Sequence, residues 1–215
     1  MSNHRARKIK LLLFDVDGVL TDGKLFFVPE NSRPAESSAQ QTAQGQIEVK
    51  GFHAHDGVAT SLARIAGLKT GLITRRVSET VALRARDLRL NHIHQGIQDK
   101  RACFAEIAKQ EGIQLEEAAF VGDDIIDLPA MRAAGLAIAV KNARAEVKKE
   151  AHYVTPHAGG EGALRDAVEF ILKAQGRWKK VVEEYVGESP GDSRQLSADS
   201  RQLSAVSSRR KAKSR

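Results

Sequence analysis

Four short, mostly apolar runs constrain the fold of this 215-residue chain more than any other feature. They cover residues 9–14, 69–73, 118–121 and 136–140, and each is followed by a polar residue or glycine. Runs of this length suit buried parallel strands. Between them, apolar residues recur at helical spacing, so strand and helix alternate. We therefore predict an α/β fold in which helices cover both faces of a parallel sheet.

One segment breaks this alternation. Residues 25–28 and 47–52 read as two strands of a hairpin, and they belong to a predicted flap over about 22–52. The insert between them, residues 29–46, is rich in Ser, Gln, Ala, Pro and Glu, which predicts a mobile loop. We assign residues 9–176 to one domain that includes this flap.

The positive charge of the chain lies at its two ends. The formal net charge is +7, but residues 1–10 and 176–215 together contribute +9, which leaves −2 for residues 11–175. Solvated tails explain this distribution better than a nucleic-acid surface, so we predict no nucleic-acid partner. We predict a basic tail over residues 1–8 and a disordered tail over residues 177–215, where DSRQLSA occurs twice in succession.

Cysteine content argues against a disulfide-stabilised protein, and hydropathy argues against a secreted or membrane-spanning one. The single cysteine, Cys103, lies in a predicted helix over residues 100–110 and cannot form an intrachain disulfide. Only residues 11–14 form an uninterrupted apolar run behind the basic N-terminus, which is too short for a signal peptide or a membrane span. We expect a cytoplasmic protein without a membrane partner.

Two carboxylates follow the first predicted strand directly. Asp15 and Asp17 are two residues apart, so a strand period would turn both side chains the same way. Gly18 lets the backbone bend closely around an anion. Ligands of open α/β sheets bind at this edge. An ordinary Asp/Gly turn would give the same short pattern.

A second acidic group follows the run at 118–121 and favours a functional site. It consists of Asp123, Asp124 and Asp127, one of which could simply cap a helix. Acids gathered at one sheet edge repel each other by several kcal/mol per close pair at an effective dielectric of about 20. A hard cation with oxygen ligands relieves this repulsion, so we predict bound Mg²⁺.

Cationic and hydroxyl side chains occupy other strand ends. Thr74 follows the run at 69–73 and precedes Arg75 and Arg76, while Lys100 opens the predicted helix. Each alone could be a cap or a surface charge. Together, at the edge where the acids lie, they predict a phosphate site.

In this order, DVDGVLTDG, Thr74, Lys100 and GDDIID resemble the four motifs of the haloacid dehalogenase superfamily of phosphotransferases. The resemblance covers residues 9 to about 176 and implies a Rossmann-like, three-layer fold. Because only a hairpin lies between the first two motifs, the chain is similar to the capless subclass. Residues 52–57, 153–154 and 158–166 are similar to 3-deoxy-D-manno-octulosonate (KDO) 8-phosphate phosphatases.

The resemblance implies catalytic roles. Asp15 would be the nucleophile that forms an aspartyl-phosphate. Asp17 would protonate the leaving group and then activate water, and its backbone carbonyl would bind Mg²⁺. Asp15 and Asp123 would supply carboxylate ligands to the metal. Asp124 and Asp127 would lie behind these ligands or at the helix start.

The resemblance also implies binding residues. Lys100, Thr74 and the N–H of Gly18 would hold the phosphoryl oxygens, with Lys100 also counted as catalytic. Asp56 would be among the substrate-binding residues. Arg76 stands where phosphatases of related nine-carbon acids tend to carry Glu, so it favours an octulosonate, whose carboxylate an arginine can pair bidentately.

Two positions depart from the family pattern, and two alternatives stay open. Arg75 replaces the glycine of the second motif, and His55 stands where the octulosonate enzymes often have arginine. The resemblance implies hydrolysis of KDO 8-phosphate in lipopolysaccharide inner-core synthesis, and it implies a homotetramer in which the hairpin of one subunit closes the site of its neighbour. The alternatives are a phosphatase for a sialic-type nine-carbon acid 9-phosphate or other sugar phosphate, and a non-catalytic binding module.

Overall fold

The computed structural model describes residues 2–29 and 46–187. The strands, in chain order, are β1 (Leu11–Phe14), β2 (Phe26–Pro29), β3 (Gln46–Val49), β4 (Lys69–Ile73), β5 (His92–His94), β6 (Ala118–Gly122), β7 (Leu136–Ala139) and β8 (Tyr153–Val154). The helices are α1 (Ser2–Ala6), α2 (Ala54–Ile65), α3 (Glu79–Asp87), α4 (Lys100–Gln110), α5 (Leu128–Ala133), α6 (Ala145–Glu150), α7 (Ala163–Ala174) and α8 (Trp178–Gly187).

Six strands form one parallel sheet in the order β5-β4-β1-β6-β7-β8. The chain runs outward from β1 through β4 and β5, then returns to β6 on the other side of β1. This reversal places the carboxyl ends of β1 and β6 side by side at the position where open α/β sheets bind ligands. The four predicted strands are confirmed. The edge strands β5 and β8 were not predicted, because they are short and only partly buried.

Helices cover the sheet in two groups. Helices α1 and α2 pack on α7, while α5 packs on α4 and α6. Every residue of β1 and β6 between them is buried, which gives the three-layer α/β fold that the sequence predicted. No helix within residues 2–29 and 46–187 combines the length and the apolar character needed to cross a membrane.

The predicted hairpin is confirmed. Strand β2 pairs antiparallel with β3, with Phe26 opposite Val49 and Pro29 opposite Gln46. The predicted mobile loop lies at the tip between these strands, and its residues 30–45 are outside the described part of the chain.

The N-terminal residues differ from the predicted basic tail over 1–8. Helix α1 docks through Ala6, which is fully buried, and Arg5 donates a hydrogen bond to the Gly135 carbonyl at 2.8 Å. Gln175 donates to the Ile9 carbonyl at 2.8 Å, which ties this segment to the end of α7. Basic composition therefore conceals an ordered segment with a small apolar contact.

The C-terminal part of the chain forms a second unit that begins at Lys179. The sequence predicted disorder over residues 177–215, but residues 178–187 form helix α8. The repeated DSRQLSA segment lies outside the described residues.

Candidate active site

The loop after β1 brings the predicted nucleophile to the sheet edge. Asp15 is buried, and its Oδ1 accepts a hydrogen bond from the Val16 N–H at 2.7 Å. In the turn that follows, Gly18 has φ +91°, and a Cβ there would lie 2.1 Å from Asp123 Oδ2. Glycine is therefore required both by the backbone angle and by the close approach of the second acidic loop.

A buried lysine links the two acidic loops. Lys100 Nζ lies 2.8 Å from Asp15 Oδ2 and 2.7 Å from Asp127 Oδ1. The other oxygen of Asp127 accepts the N–H of Asp123 at 3.0 Å. We call Asp15, Lys100, Asp123 and Asp127 the carboxylate cluster. Its members come from the ends of β1 and β6 and from the start of α4, as predicted from their positions in the sequence.

The predicted positions of Asp124 and Asp127 behind the metal ligands resolve into two different roles. Asp124 is exposed, and its Oδ1 accepts the N–H of Ile125 at 2.7 Å, so it caps the short turn Ile125–Asp127. Asp127 is fully buried and orients both Lys100 and the Asp123 backbone. Asp127 is therefore the residue that organises the cluster.

Burial and mutual repulsion raise the pKa of two carboxyl groups in the carboxylate cluster. Burial, and then the charge of Asp127, raise the pKa of Asp15 to about 6, although Lys100 opposes this change. Burial, followed by repulsion from Asp127 and Asp15, raises the pKa of Asp123 to about 7. Burial favours the neutral form of Lys100, but Asp15 and Asp127 outweigh it and raise the Lys100 pKa.

The carboxylate cluster fits a divalent cation. Three carboxylates and one ammonium carry a formal charge of −2, and Asp15, Asp123 and Asp127 each offer an oxygen within 4.8 Å of the others. Oδ1 of Asp123 is buried without a hydrogen-bond partner in the described part of the chain. An all-oxygen donor set with an unpaired buried acceptor is typical of an Mg²⁺ site.

Thr74, another predicted phosphate-binding residue, reaches the same edge. The β1–β4 register pairs Phe14 with Leu72, so buried Thr74 emerges beside the nucleophile loop. Next to it, Arg75 donates two hydrogen bonds to Gln98 Oε1, at 3.1 and 2.6 Å. The arginine that replaces the family's glycine thus ties the Thr74 loop to the loop that leads to Lys100.

The hairpin supplies a second group of charges. Asp17 Oδ1 lies 2.5 Å from Lys50 Nζ, and Asp17 Oδ2 lies 3.5 Å from Arg76 Nε. Glu48 contacts Lys50 at 3.5 Å and Arg76 at 3.2 Å, and it accepts a hydrogen bond from Ser78. We call Asp17, Glu48, Lys50 and Arg76 the hairpin network. It joins β3 to the loops after β1 and β4.

Sequence reasoning missed Glu48 and Lys50. Both lie in the segment predicted as a strand, two residues apart, so they share a face of the hairpin. A Glu-x-Lys pair beside exposed Val49 was the available signal. It went unread because only the folded hairpin brings Lys50 to Asp17, 33 residues earlier in the chain.

Asp56, predicted as a substrate-binding residue, contacts the first turn of α7. It is buried at the start of α2, and its Oδ1 accepts the N–H of Arg165 at 3.1 Å in the first turn of α7. Burial raises its pKa. The carboxylate thus caps the first turn of α7 through one oxygen, and its predicted contact with substrate stays a prediction. The loop before α7 in turn rests on the nucleophile loop, where Gly160 donates to the Val19 carbonyl at 3.0 Å.

Comparison with known proteins identifies the family of the chain. A family model described as haloacid dehalogenase-like hydrolase matches residues 76–165. A protein of Escherichia coli (strain K12) named 3-deoxy-D-manno-octulosonate 8-phosphate phosphatase is 35% identical over 185 residues, which cover 86% of this chain and 88% of that protein.

Solved structures agree with this result. The crystal structure of a phosphatase of the same name from Yersinia pestis has a TM-score of 0.73 and 34% identity, covering 83% of this chain and 88% of that one. That from Moraxella catarrhalis, in complex with magnesium, phosphate and KDO, has a TM-score of 0.75 and 34% identity, covering 85% and 97%. This chain therefore belongs to the haloacid dehalogenase-like hydrolases and, within them, to the family of the 3-deoxy-D-manno-octulosonate 8-phosphate phosphatases.

Proposed function

We propose that this phosphatase uses Mg²⁺ to hydrolyse KDO 8-phosphate to KDO and phosphate through an aspartyl-phosphate on Asp15. The observation that carries the proposal is the carboxylate cluster at the sheet edge. It has a formal charge of −2 and includes the buried nucleophile Asp15. The names of the relatives, and the KDO, phosphate and magnesium in the Moraxella catarrhalis complex, supply the substrate class.

The metal would be held by the carboxylates of Asp15 and Asp123 and by the backbone carbonyl of Asp17. When bound, Mg²⁺ supplies positive charge next to the phosphoryl oxygens and offsets the negative charge of the cluster. Lys100, Thr74 and the N–H of Gly18 hold the remaining phosphoryl oxygens, where negative charge spreads during transfer.

The reaction proceeds in two displacements at phosphorus. A carboxylate oxygen of Asp15 attacks, the bond from phosphorus to the sugar oxygen breaks, and its electron pair leaves with that oxygen. Asp17 donates the proton that converts the leaving alkoxide into an alcohol. Asp17 then takes a proton from water, whose oxygen attacks phosphorus and releases phosphate and free Asp15.

Arg76 is the proposed contact for the carboxylate of the sugar acid. Its side chain is 43% exposed, so it can face a ligand while it contacts Asp17 and Glu48. A planar guanidinium pairs a carboxylate with two parallel hydrogen bonds. This contact would favour a sugar acid over a neutral sugar phosphate.

Assembly into a homotetramer is also proposed, through the hairpin. Four of its side chains are apolar and roughly half exposed in the single chain: Phe26, Phe27, Val28 and Val49. An apolar surface on a projecting hairpin is suited to packing on a second copy. Light scattering after size-exclusion chromatography tests this, and a Phe27→Ser protein that stays tetrameric would oppose it.

The activity is tested by phosphate release from a panel of sugar phosphates, with Mg²⁺ and with EDTA. We expect KDO 8-phosphate to be preferred and EDTA to stop turnover. Equal rates in EDTA would refute the metal mechanism, and a preference for a nine-carbon acid 9-phosphate would refute the substrate. We also propose that the enzyme acts in the cytoplasm, which cell fractionation tests. We propose further that it serves lipopolysaccharide inner-core synthesis, which is tested by analysing the lipopolysaccharide of a deletion strain.

A further inference from the structure

We propose that Lys50, carried by the hairpin, is a positioning residue that holds the carboxylate of Asp17 in place for proton transfer. The inference rests on the proposed function, because it assumes that Asp17 is the acid and base. It adds a residue from outside the four motifs to the reaction. It also gives the hairpin of each subunit a role in that subunit's own site.

The contact joins two separate parts of the chain. Lys50 follows β3, whereas Asp17 lies in the turn after β1, and their side chains meet at 2.5 Å. The Lys50 side chain is only 1% exposed, although the hairpin side chains of Phe26 and Val49 are exposed. A lysine buried on an otherwise exposed hairpin is placed there by its partners, because burying an unpaired ammonium is costly.

The partners of Lys50 leave it little freedom to bind substrate directly. Its ammonium lies between Asp17 Oδ1 at 2.5 Å and Glu48 Oε1 at 3.5 Å. Glu48 is itself fixed by Arg76 and Ser78. Of the two cations that contact Asp17, Arg76 is the accessible one and Lys50 the enclosed one.

Asp17 depends on such a contact. It sits in a turn with non-helical backbone angles beside Gly18, and its side chain keeps 22% exposure. The described hydrogen bonds and ion pairs of its carboxylate are with Lys50 and Arg76. Proton transfer needs the acid within hydrogen-bond reach of the leaving oxygen, and small displacements cost large factors in rate.

The test compares two leaving groups in Lys50→Met. A sugar phosphate releases an alkoxide that needs a proton, whereas p-nitrophenyl phosphate releases nitrophenolate without one. We expect turnover of the sugar phosphate to fall by about 10- to 100-fold. The first burst of nitrophenolate should stay near the wild-type rate, and phosphoenzyme should accumulate because the second step needs Asp17 as base. Lys50→Arg should recover part of the loss.

Lys24→Met is the matched control. Lys24 lies just before β2, at the other end of the hairpin from Lys50, and pairs with an aspartate of the nucleophile loop, Asp22, at 3.0 Å, but it is 71% exposed. The Lys24→Met variant should turn over both substrates within about 2-fold of the wild-type rate, as expected for loss of a surface ion pair. A loss in Lys24→Met equal to that in Lys50→Met would overturn the inference.

A double variant separates positioning from direct binding. If Lys50 acts through Asp17, Asp17→Asn with Lys50→Met should be no slower than Asp17→Asn alone. Losses that multiply, or a burst that slows as much as sugar-phosphate turnover, would show that Lys50 binds substrate. If Lys50→Met does not fold, Lys50→Gln serves in the same comparisons.

The same series distinguishes the two levels of proposal. Full activity in Asp17→Asn would refute the role of Asp17 and with it the proposed mechanism. Loss in Asp17→Asn, together with an independent loss from Lys50→Met, would refute only the inference about Lys50.

Discussion

The carboxylate cluster holds three acidic side chains against one ammonium, whereas the hairpin network holds two charges of each sign. Both groups adjoin the same loop, one through Asp15 and the other through Asp17. The first is unbalanced and has a carboxylate oxygen without a partner among the described residues. The second neutralises itself. The negative charge of the first group is suited to binding a cation, whereas each charge of the second group already has a partner within it.

The largest effect should come from removing the nucleophile from the unbalanced group. Asp15→Asn is expected to lower turnover by at least about 10³-fold, because an amide cannot form the acyl phosphate. Phosphate release and acid-quenched phosphoenzyme measure this. Asp22→Asn is the control, since Asp22 lies in the same loop but is exposed and pairs with Lys24. Residual activity above a few per cent would remove Asp15 from its role.

The free energy of unfolding should fall more when Lys100 is replaced than when Lys50 is replaced. Lys100→Met leaves three close carboxylates without their cation, so without metal it should lose about 3–5 kcal/mol of unfolding free energy. Lys50→Met should lose only about 1–2 kcal/mol, because Asp17 and Glu48 both keep Arg76. Urea denaturation in EDTA measures both values. Equal losses would contradict the contrast between the two groups.

The pH dependence of the metal-free protein should reveal the unbalanced group. The folded pKa of Asp123 is raised to about 7 from an ordinary value of 3.8. Between these values the folded state keeps a proton that the unfolded chain has lost, so this group's contribution to stability falls as pH rises. In EDTA, the melting temperature of Asp123→Asn relative to wild type should therefore increase from pH 5 to pH 7. At pH 7, saturating Mg²⁺ should make wild type the protein with the higher melting temperature. A difference in melting temperature between the two proteins that does not depend on pH would contradict this prediction.

Changing the net charge of the hairpin network should change KM for the substrate. Glu48→Gln gives the network a formal charge of +1, so KM for an anionic sugar phosphate should fall about 2- to 5-fold at low salt and return at high salt. Glu79→Gln makes the same charge change at an exposed pair with Arg86 and is the control. A rise in KM for Glu48→Gln would show that Glu48 supports the site by its shape rather than its charge.

The smallest effect should come from truncation after Gly187. Both charged groups lie in the unit that ends at Trp178, and the truncation removes none of their residues, so turnover should change by less than about 2-fold. Steady-state kinetics with the truncated protein measure this. A large loss would give the repeat-containing C-terminus a function.

The sequence was sufficient to predict the carboxylate cluster because parallel strands bring their ends to one edge. Asp15, Asp123 and Thr74 each follow a buried strand directly, so their meeting needed only the topology. Lys100 could be added because it opens the next helix. The resemblance then assigned the roles that these positions suggested.

The hairpin network, the docking of the N-terminal helix and the contact of Asp56 with α7 were not predictable in the same way. Lys50 reaches Asp17 only after a hairpin folds over the sheet edge. Ala6 docks through one methyl group in a segment whose composition is basic. Asp56 has the polarity of a ligand-binding residue, but α7 covers it. Each depends on packing between distant elements, which local periodicity does not encode.

The register of the hairpin has a consequence for how this chain can vary in length. Pro29 and Gln46 pair at the tip, while Phe26 and Val49 pair at the base next to Lys50. Residues added between positions 30 and 45 enter at the tip and leave that pairing unchanged. A single residue added between Val49 and Lys50 would turn the lysine to the opposite face. The hairpin thus accepts added residues at its tip. At its base, the contact between Lys50 and Asp17 fixes the number of residues between Val49 and Lys50.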